Sequence, residues 1–191
     1  MAPTMPLLFS LLPHPKTPAP MVRSIEGKVA FGPDDELVFS YTLWGDIARL
    51  RLPSERGVER ADALWEQSCF EAFIGVQGDA AYHEFNFSPA GQWACYALSN
   101  YRQRDADPAI TRAPRIEARA FAGRLELTAY VHRQNLPPNP AQKAWEIGVS
   151  AVVESADTQD GQHSYWALLH PSATPDFHQR AAFTLILAPE N

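Results

Sequence analysis

Three runs of alternating hydrophobic and polar positions follow one another in the middle of the chain, and two short turns separate them. The runs cover residues 69–77, 81–88 and 92–99. Gly78-Asp79 is typical of a two-residue hairpin turn, and Pro89-Ala90-Gly91 of a second tight turn. Alternation with a period of two, interrupted by closely spaced turns, predicts three consecutive antiparallel strands.

The two turns imply a register for these strands. The residues expected to face each other are Glu71 and Asn86, Ala72 and Phe85, Phe85 and Cys95, Glu84 and Tyr96, and Phe87 and Trp93. Successive side chains of a strand point to opposite faces, so the register sorts them into two sets. An apolar set predicts the face towards the core: Phe70, Ala72, Ile74, Phe85, Phe87, Trp93 and Cys95. The other set mixes acids, an amide and aromatic rings: Glu71, Phe73, Tyr82, Glu84, Asn86, Ser88, Tyr96 and Leu98.

The mixed face has the composition that a site for a polar ligand needs. Carboxylates and amides form directed hydrogen bonds with hydroxyl groups, and aromatic rings cover apolar surfaces. A partly solvated sheet face, or a second buried layer with satisfied polar groups, would give the same pattern. Both interpretations stay open at this point.

The remainder of the chain also predicts strands, joined by loops rich in proline and glycine. These further strands are expected at residues 22–31, 36–44, 47–52, 115–121, 124–132, 144–154, 163–169 and 182–188. The strand at 47–52 is expected to form a hairpin with its predecessor across Gly45-Asp46. About ten strands without a long helix predict an all-β fold, an antiparallel β-sandwich or a related barrel. Residues 1–20 are expected to be an extended proline-rich lead-in, and residues 21–191 a single domain.

Charge and cysteine content exclude several classes of protein. The net charge is −6 and the isoelectric point about 5.5, which argues against a nucleic-acid-binding protein and an anionic membrane partner. No apolar run reaches the ~18 residues of a membrane-spanning helix. The register places Cys69 and Cys95 on opposite faces, so two free thiols are expected. They fit a reducing, cytoplasmic compartment, and a secretory signal is not favoured because the apolar stretch at 6–12 is short.

Recognisable catalytic and metal-binding motifs are lacking. The sequence contains no phosphate-binding glycine loop, nucleophile elbow or zinc motif. Glu71 and Glu84 are diagonal neighbours in the register, roughly 7–8 Å apart between backbones, so a glycosidase-type carboxylate pair is an alternative. His170, Asp176 and His178 could form a metal site, although histidines that cap strands or bond the backbone are the favoured interpretation.

Two tryptophans are candidates for stacking on a ligand. Trp65 precedes a strand at the edge of a loop, where an exposed platform is expected. Trp166 alternates with Ser164 and Leu168, so it could face either side of its strand.

Several segments together resemble DOMON-like proteins related to the family 9 carbohydrate-binding module. They are LWEQSCFEAFIG, YHEFNFSPAGQWACYAL and the following YR, then SYWAL, PDFH and the terminal AFTLIL, with HPKTP and LWGD near the start. The resemblance spans most of the chain, and residues 65–102 are its most specific part. It implies a jelly-roll-like β-sandwich of about ten strands.

The same resemblance implies a ligand and candidate binding residues. Ligands in that superfamily are sugars or, in some branches, haem. Glu71, Glu84 and Asn86 match strand positions that supply polar groups to the ligand, and Arg102 lies in the following loop. Haem ligation by methionine and histidine is not expected, because the methionines, at positions 1, 5 and 21, all lie near the start. No cofactor is therefore expected.

These observations predict a non-catalytic binding module for a polar small molecule such as a carbohydrate. The predicted ligand-binding residues are Glu71, Glu84, Asn86, Tyr96, Arg102, Trp65 and Trp166. Two alternatives remain: a glycoside hydrolase that uses Glu71 and Glu84, and an interaction module without a small ligand.

Overall fold

In the computed structural model, which describes residues 5–157 and 161–188, twelve strands account for the regular structure. They are β1 (Leu7–Pro13), β2 (Val22–Phe31), β3 (Glu36–Gly45), β4 (Cys69–Val76), β5 (Tyr82–Phe87), β6 (Trp93–Asn100), β7 (Gln103–Arg104), β8 (Arg115–Phe121), β9 (Arg124–His132), β10 (Trp145–Glu154), β11 (His163–Ala167) and β12 (Leu185–Leu187). Within the described ranges the helical segments are single 3-10 turns: Ile47–Arg49, Leu64–Glu66, Arg133–Asn135 and Arg180–Ala182. No described helix has the length and hydropathy to cross a membrane.

The strands pair antiparallel throughout and form two layers that share one strand. One layer has the order β8-β9-β3-β2-β1, and the other the order β7-β6-β5-β4-β10-β11-β1 with β12 also paired to β10. Strand β1 belongs to both, because Leu7–Leu11 pair with β2 whereas Leu12 and Pro13 pair with β11. The predicted all-β sandwich is confirmed.

The core fills the space between the layers. Alternate residues of β3 and of β4–β6 point into it, so that the Phe39 ring lies 6.0 Å from that of Phe87 and the Tyr41 ring 5.0 Å from that of Phe70. The Tyr41 hydroxyl donates a hydrogen bond of 2.8 Å to the backbone oxygen of Glu71 in the opposite layer. All seven predicted core-facing residues of β4–β6 are buried in this cluster.

The register predicted for the central strands is also confirmed. Glu71 faces Asn86 and Glu84 faces Tyr96, which places Glu71 and Glu84 diagonally on the face away from the core. Gly78 and Gly91 adopt positive φ angles of 83° and 93°, conformations that glycine reaches without steric cost. The first turn is longer than predicted, because β4 ends at residue 76 and β5 begins at residue 82.

The predicted hairpin across Gly45-Asp46 is wrong. Residues 47–49 form a 3-10 turn, and Leu50 contributes only an isolated bridge to Ser155. Strand β3 is already paired with β2 on one edge and with β9 on the other, so no edge remains for a hairpin partner.

The start of the chain is more regular than predicted. Within the proline-rich segment of residues 1–20, Leu7–Pro13 is extended as expected, but it forms strand β1 and joins both layers. The prolines at positions 6 and 13 stand just before this strand and at its end, where a missing N–H interrupts little of the pairing. The domain boundary at residue 20 stays a prediction.

Candidate functional site

A cavity of about 370 Å³ lies on the outer face of β4–β6, on the side away from the core. The strands supply its floor, and the connection between β11 and β12, residues 168–184, covers one side. The lining residues are Trp65, Glu71, Phe73, Glu84, Tyr96, Leu98, Arg102, Arg104, Val152, Tyr165, Pro175, Asp176, Phe177 and His178. Aromatic, acidic and basic side chains therefore meet in one open cavity.

Two buried carboxyl groups form the polar part of the floor. Glu71 is 3% exposed and Glu84 7% exposed. The Ser150 hydroxyl donates to Glu71 Oε2 at 2.8 Å, and the Asn86 amide donates to Glu84 Oε1 at 2.8 Å. Asn86 is fully buried beside Glu84, two residues along β5 on the same face of the sheet, so it orients the carboxyl group.

Burial changes the protonation of this pair. It raises the pKa of Glu71 to about 8; the negative charge of Glu84 adds to the rise, and the hydrogen bond from Ser150 opposes it. Burial also raises the pKa of Glu84, against the hydrogen bond from Asn86 and the positive charges of Arg102 and Arg104. Two adjacent carboxylates cannot both ionise cheaply in a low-dielectric site. At neutral pH Glu71 keeps its proton, and the cavity floor offers both a donor and an acceptor.

Aromatic rings form the wall next to the acids. The Trp65 and Tyr96 rings meet edge to face, with centroids 5.8 Å apart. The Arg104 guanidinium lies 4.1 Å above the Tyr96 ring, and the Tyr96 hydroxyl donates to Asp62 at 2.9 Å. Trp65 is 40% exposed, so a large apolar surface stands at the mouth of the cavity.

The covering segment is fixed by Asp176. Its carboxylate accepts hydrogen bonds from the Tyr101 hydroxyl at 2.7 Å, the Arg102 guanidinium at 2.9 Å and the Gln179 amide at 2.8 Å. Burial alone would raise the pKa of Asp176, but these hydrogen bonds lower it to about 2. Asp176 is therefore a permanent anion that holds the segment against the loop after β6.

His178 is the residue through which this segment reaches the acids. Its Nδ1 lies 2.8 Å from the Tyr82 hydroxyl, and its Nε2 lies 3.8 Å from Glu84 Oε2. Burial and the positive charge of Arg102 together lower the pKa of His178 to about 4, against the negative charge of Asp176. The imidazole is neutral at pH 7, so its approach to Glu84 is not an ion pair.

The sandwich around this cavity is also found among solved structures. A proposed carbohydrate-binding protein from Bacteroides uniformis is 16% identical, with a TM-score of 0.64 over 93% of this chain and 84% of that chain. A family 9 carbohydrate-binding module from Caldicellulosiruptor kristjanssonii in complex with cellotriose is 11% identical, with a TM-score of 0.50 over 78% and 67%. The complex of such a module with glucose gives 12% and 0.50 over 86% and 75%. The fold is that of family 9 carbohydrate-binding modules. No protein-family model and no curated protein sequence matches the chain.

Five of the predicted ligand-binding residues line this cavity together: Trp65, Glu71, Glu84, Tyr96 and Arg102. Asn86 is not part of the lining but donates a hydrogen bond to Glu84 from the neighbouring position on the same face of β5. Trp166 is separated from the cavity: it is 3% exposed in the core between the layers, and its Nε1 donates to the Ser164 hydroxyl at 3.0 Å. The alternation of β11 turns Trp166 inwards, and its neighbour Tyr165 lines the cavity instead.

The site residues that the sequence analysis missed come mostly from distant segments. Phe177 and His178 belong to the PDFH segment. The sequence alone does not show that this segment lies against the cavity, because its position depends on how its loop packs. Arg104 stands two residues after Arg102, on β7, and a strand of two residues carries no alternating pattern.

The three residues considered for a metal site do not form one. His170 bonds the backbone oxygen of Leu12 through Nε2 at 2.8 Å, as expected for a histidine that serves the backbone. Asp176 and His178 face the cavity, where their contacts are those described above. Across residues 5–157 and 161–188, no group of three or more histidine, cysteine or acidic side chains is arranged to hold a metal ion.

Proposed function

We propose that this chain is a non-catalytic carbohydrate-binding module whose ligand occupies the cavity on β4–β6. The observation that carries the proposal is the meeting of a buried acid pair with aromatic rings in one cavity. Sugars present hydroxyl groups at their edges and C–H groups on their faces, and they need both kinds of partner. A volume of about 370 Å³ lies at the lower end of the ~300–1,000 Å³ of small-molecule sites, which suits a small saccharide.

The solved structures with this fold suggest which sugars to test first. Modules bound to glucose and cellotriose share the sandwich with this chain, although sequence identity is only 11–12%. These two sugars are therefore the first probes. The specific contacts must come from the residues of this chain.

A glycan array followed by calorimetric titration with glucose and cellotriose tests the proposal. The unmodified chain is expected to retain one class of glycan. Trp65→Ala is expected to weaken binding about two- to ten-fold, because one aromatic contact contributes ~0.5–1.5 kcal/mol. Trp44→Ala is the matched control, since Trp44 lies in the other layer, where it bonds Glu26. Retention of no glycan by the unmodified chain would contradict the proposal and favour an interaction module.

A glycoside hydrolase is the second candidate, and one observation favours it. Glu71 keeps its proton at neutral pH, while Glu84 is the first of the pair to ionise. Two carboxyl groups with different pKa values are typical of a catalytic general acid and the carboxylate that acts with it. Both carboxyl groups, however, stand on one floor rather than on two sides of a cleft. Turnover of an aryl glycoside that is lost in Glu84→Gln would favour the enzyme; we expect no turnover.

A further inference from the structure

We propose that His178 Nε2 and Glu84 Oε2 form a gap that accepts one hydroxyl group of a neutral sugar. The inference rests on the proposed function and adds the chemical class of the ligand group. The two atoms are 3.8 Å apart, too far for a direct hydrogen bond. An oxygen atom placed between them can lie ~2.8 Å from both. Both side chains line the cavity.

The donor side of the gap is set by Tyr82. The backbone N–H of Arg102 donates to the Tyr82 oxygen at 3.4 Å, so the Tyr82 hydroxyl has its own proton to give to His178 Nδ1 at 2.8 Å. A neutral imidazole that accepts at Nδ1 carries its proton on Nε2. Tyr82 is fully buried, which keeps this arrangement in place. The N–H of His178 therefore points towards Glu84.

The acceptor side is set by Asn86. Its amide engages Glu84 Oε1, which leaves Oε2 facing His178. A ligand atom in the gap must accept from Nε2–H and donate to Oε2. A hydroxyl group does both, whereas a fluorine or an ether oxygen only accepts, an ammonium only donates and a methylene does neither.

The surrounding charges act against ionic ligands. Glu84 repels an anionic group at this position, while Arg102 and Arg104 at the cavity wall oppose a cation. Arg102 is paired with Asp176 at 2.9 Å, and Arg104 with Asp107 at 2.9 Å. Both arginines therefore have carboxylate partners within the protein. A neutral polyhydroxy ligand fits this balance best.

The first arm of the test needs no ligand. Nitrogen-15 NMR of the chain labelled at histidine, with His178→Gln to assign the signal, should show a neutral ring with its proton on Nε2 at pH 7. Tyr82→Phe removes the donor to Nδ1 and should allow the other tautomer to appear. A proton on Nδ1 in the unmodified chain overturns the inference and leaves the proposed function intact.

The second arm measures binding of glucose and of its monodeoxy and deoxyfluoro analogues, or of the same analogues of the monosaccharide that the array retains. At one ring position both replacements should weaken binding about ten- to a hundred-fold, the range for a hydrogen bond to a charged group. His178→Phe removes the donor to this hydroxyl but leaves Glu84 as its acceptor, so it should weaken binding and reduce the discrimination. His178→Gln, whose amide can donate from a similar position, should restore part of both.

His132→Phe, on β9 of the other layer, is the control variant and should bind as the unmodified chain does. Equal affinity of His178→Phe and the unmodified chain overturns the inference alone. A chain that binds no sugar overturns the proposed function and this inference together.

Discussion

The two faces of strands β4, β5 and β6 are made from alternate residues of one stretch of chain, yet they differ in how burial is compensated. The inner face carries Phe70, Ala72 and Phe85, whose apolar side chains pack against the opposite layer. The outer face carries Glu71 and Glu84, each nearly as buried. Each of these acids receives a hydrogen bond from a neighbour in the sheet.

The comparison separates residues that stabilise the sandwich from residues that cost stability. An apolar side chain of this size contributes ~1.5–3 kcal/mol when it is buried. A buried carboxyl group instead has a raised pKa, as at Glu71, and that shift measures the cost of its charge. Apolar side chains in place of Glu71 and Glu84 would avoid this cost, and the cost supports the role in ligand binding that we propose for these acids.

The largest expected effect is on the inner face. Phe85→Ala should lower the free energy of unfolding by about 3–5 kcal/mol, because Phe85 is fully buried and the cavity left behind collapses only in part. Urea unfolding measures the change. Leu8→Ala is the control, since Leu8 is 74% exposed and should change stability by less than ~0.5 kcal/mol. A loss below ~1 kcal/mol at Phe85 would mean that this face is not the core.

On the outer face, Glu71→Gln should change the pH dependence of stability. Glu71 has an ordinary pKa of 4.5 when unfolded and about 8 when folded, so the folded state binds the extra proton between these values. Stability of the unmodified chain therefore falls as pH rises from 4.5 to 8, by at most ~1.4 kcal/mol per pH unit. Glutamine stays neutral and can still accept from Ser150, so the variant should gain a few kcal/mol over the unmodified chain by pH 9.

Urea unfolding at pH 5, 7 and 9 measures this gain. Glu55→Gln, at an exposed position, is the control and should follow the unmodified chain at every pH. Parallel curves for Glu71→Gln and the unmodified chain would show that Glu71 is not a buried acid with a raised pKa.

The register of the central strands could be predicted from the sequence, because it depends only on the alternation of neighbouring residues and on the two turns between the strands. Ala72 opposite Phe85 and Glu84 opposite Tyr96 follow from a period of two and the turns at Gly78 and Gly91. The position of His178 could not be predicted, because it depends on a loop whose place is fixed by the Asp176–Arg102 contact, 74 residues apart in the chain. The inward turn of Trp166 likewise depends on the pairing of β11 with β1 and β10.

The next effect concerns ligand affinity rather than stability. Glu84→Ala should weaken sugar binding about ten- to a hundred-fold, because one hydrogen bond to a charged group is lost. The fold should stay intact, since the Arg102 guanidinium pairs with Asp176 and does not depend on Glu84. Calorimetric binding and thermal melting are measured on the same variant, with Glu55→Ala, at an exposed position outside the cavity lining, as control. A large fall in melting temperature with unchanged affinity would make Glu84 a structural acid.

The smallest expected effect is the difference in stability between two serine variants, at Cys69 and at Cys95, which lie on opposite faces of the same sheet. Both are free and buried, and burial raises the pKa of each thiol. Neither should therefore react with a thiol reagent in the folded chain, and two thiols should react once the chain unfolds.

Cys69 Sγ lies 3.7 Å from Asn86 Oδ1, so a serine there can donate a hydrogen bond to the same oxygen. Cys95 lies among the apolar side chains of the core, where a serine hydroxyl would be costly. Cys95→Ser should therefore lose ~1–3 kcal/mol of stability and Cys69→Ser distinctly less. Equal losses in urea unfolding would mean that Asn86 does not offer the serine at position 69 a hydrogen-bond partner.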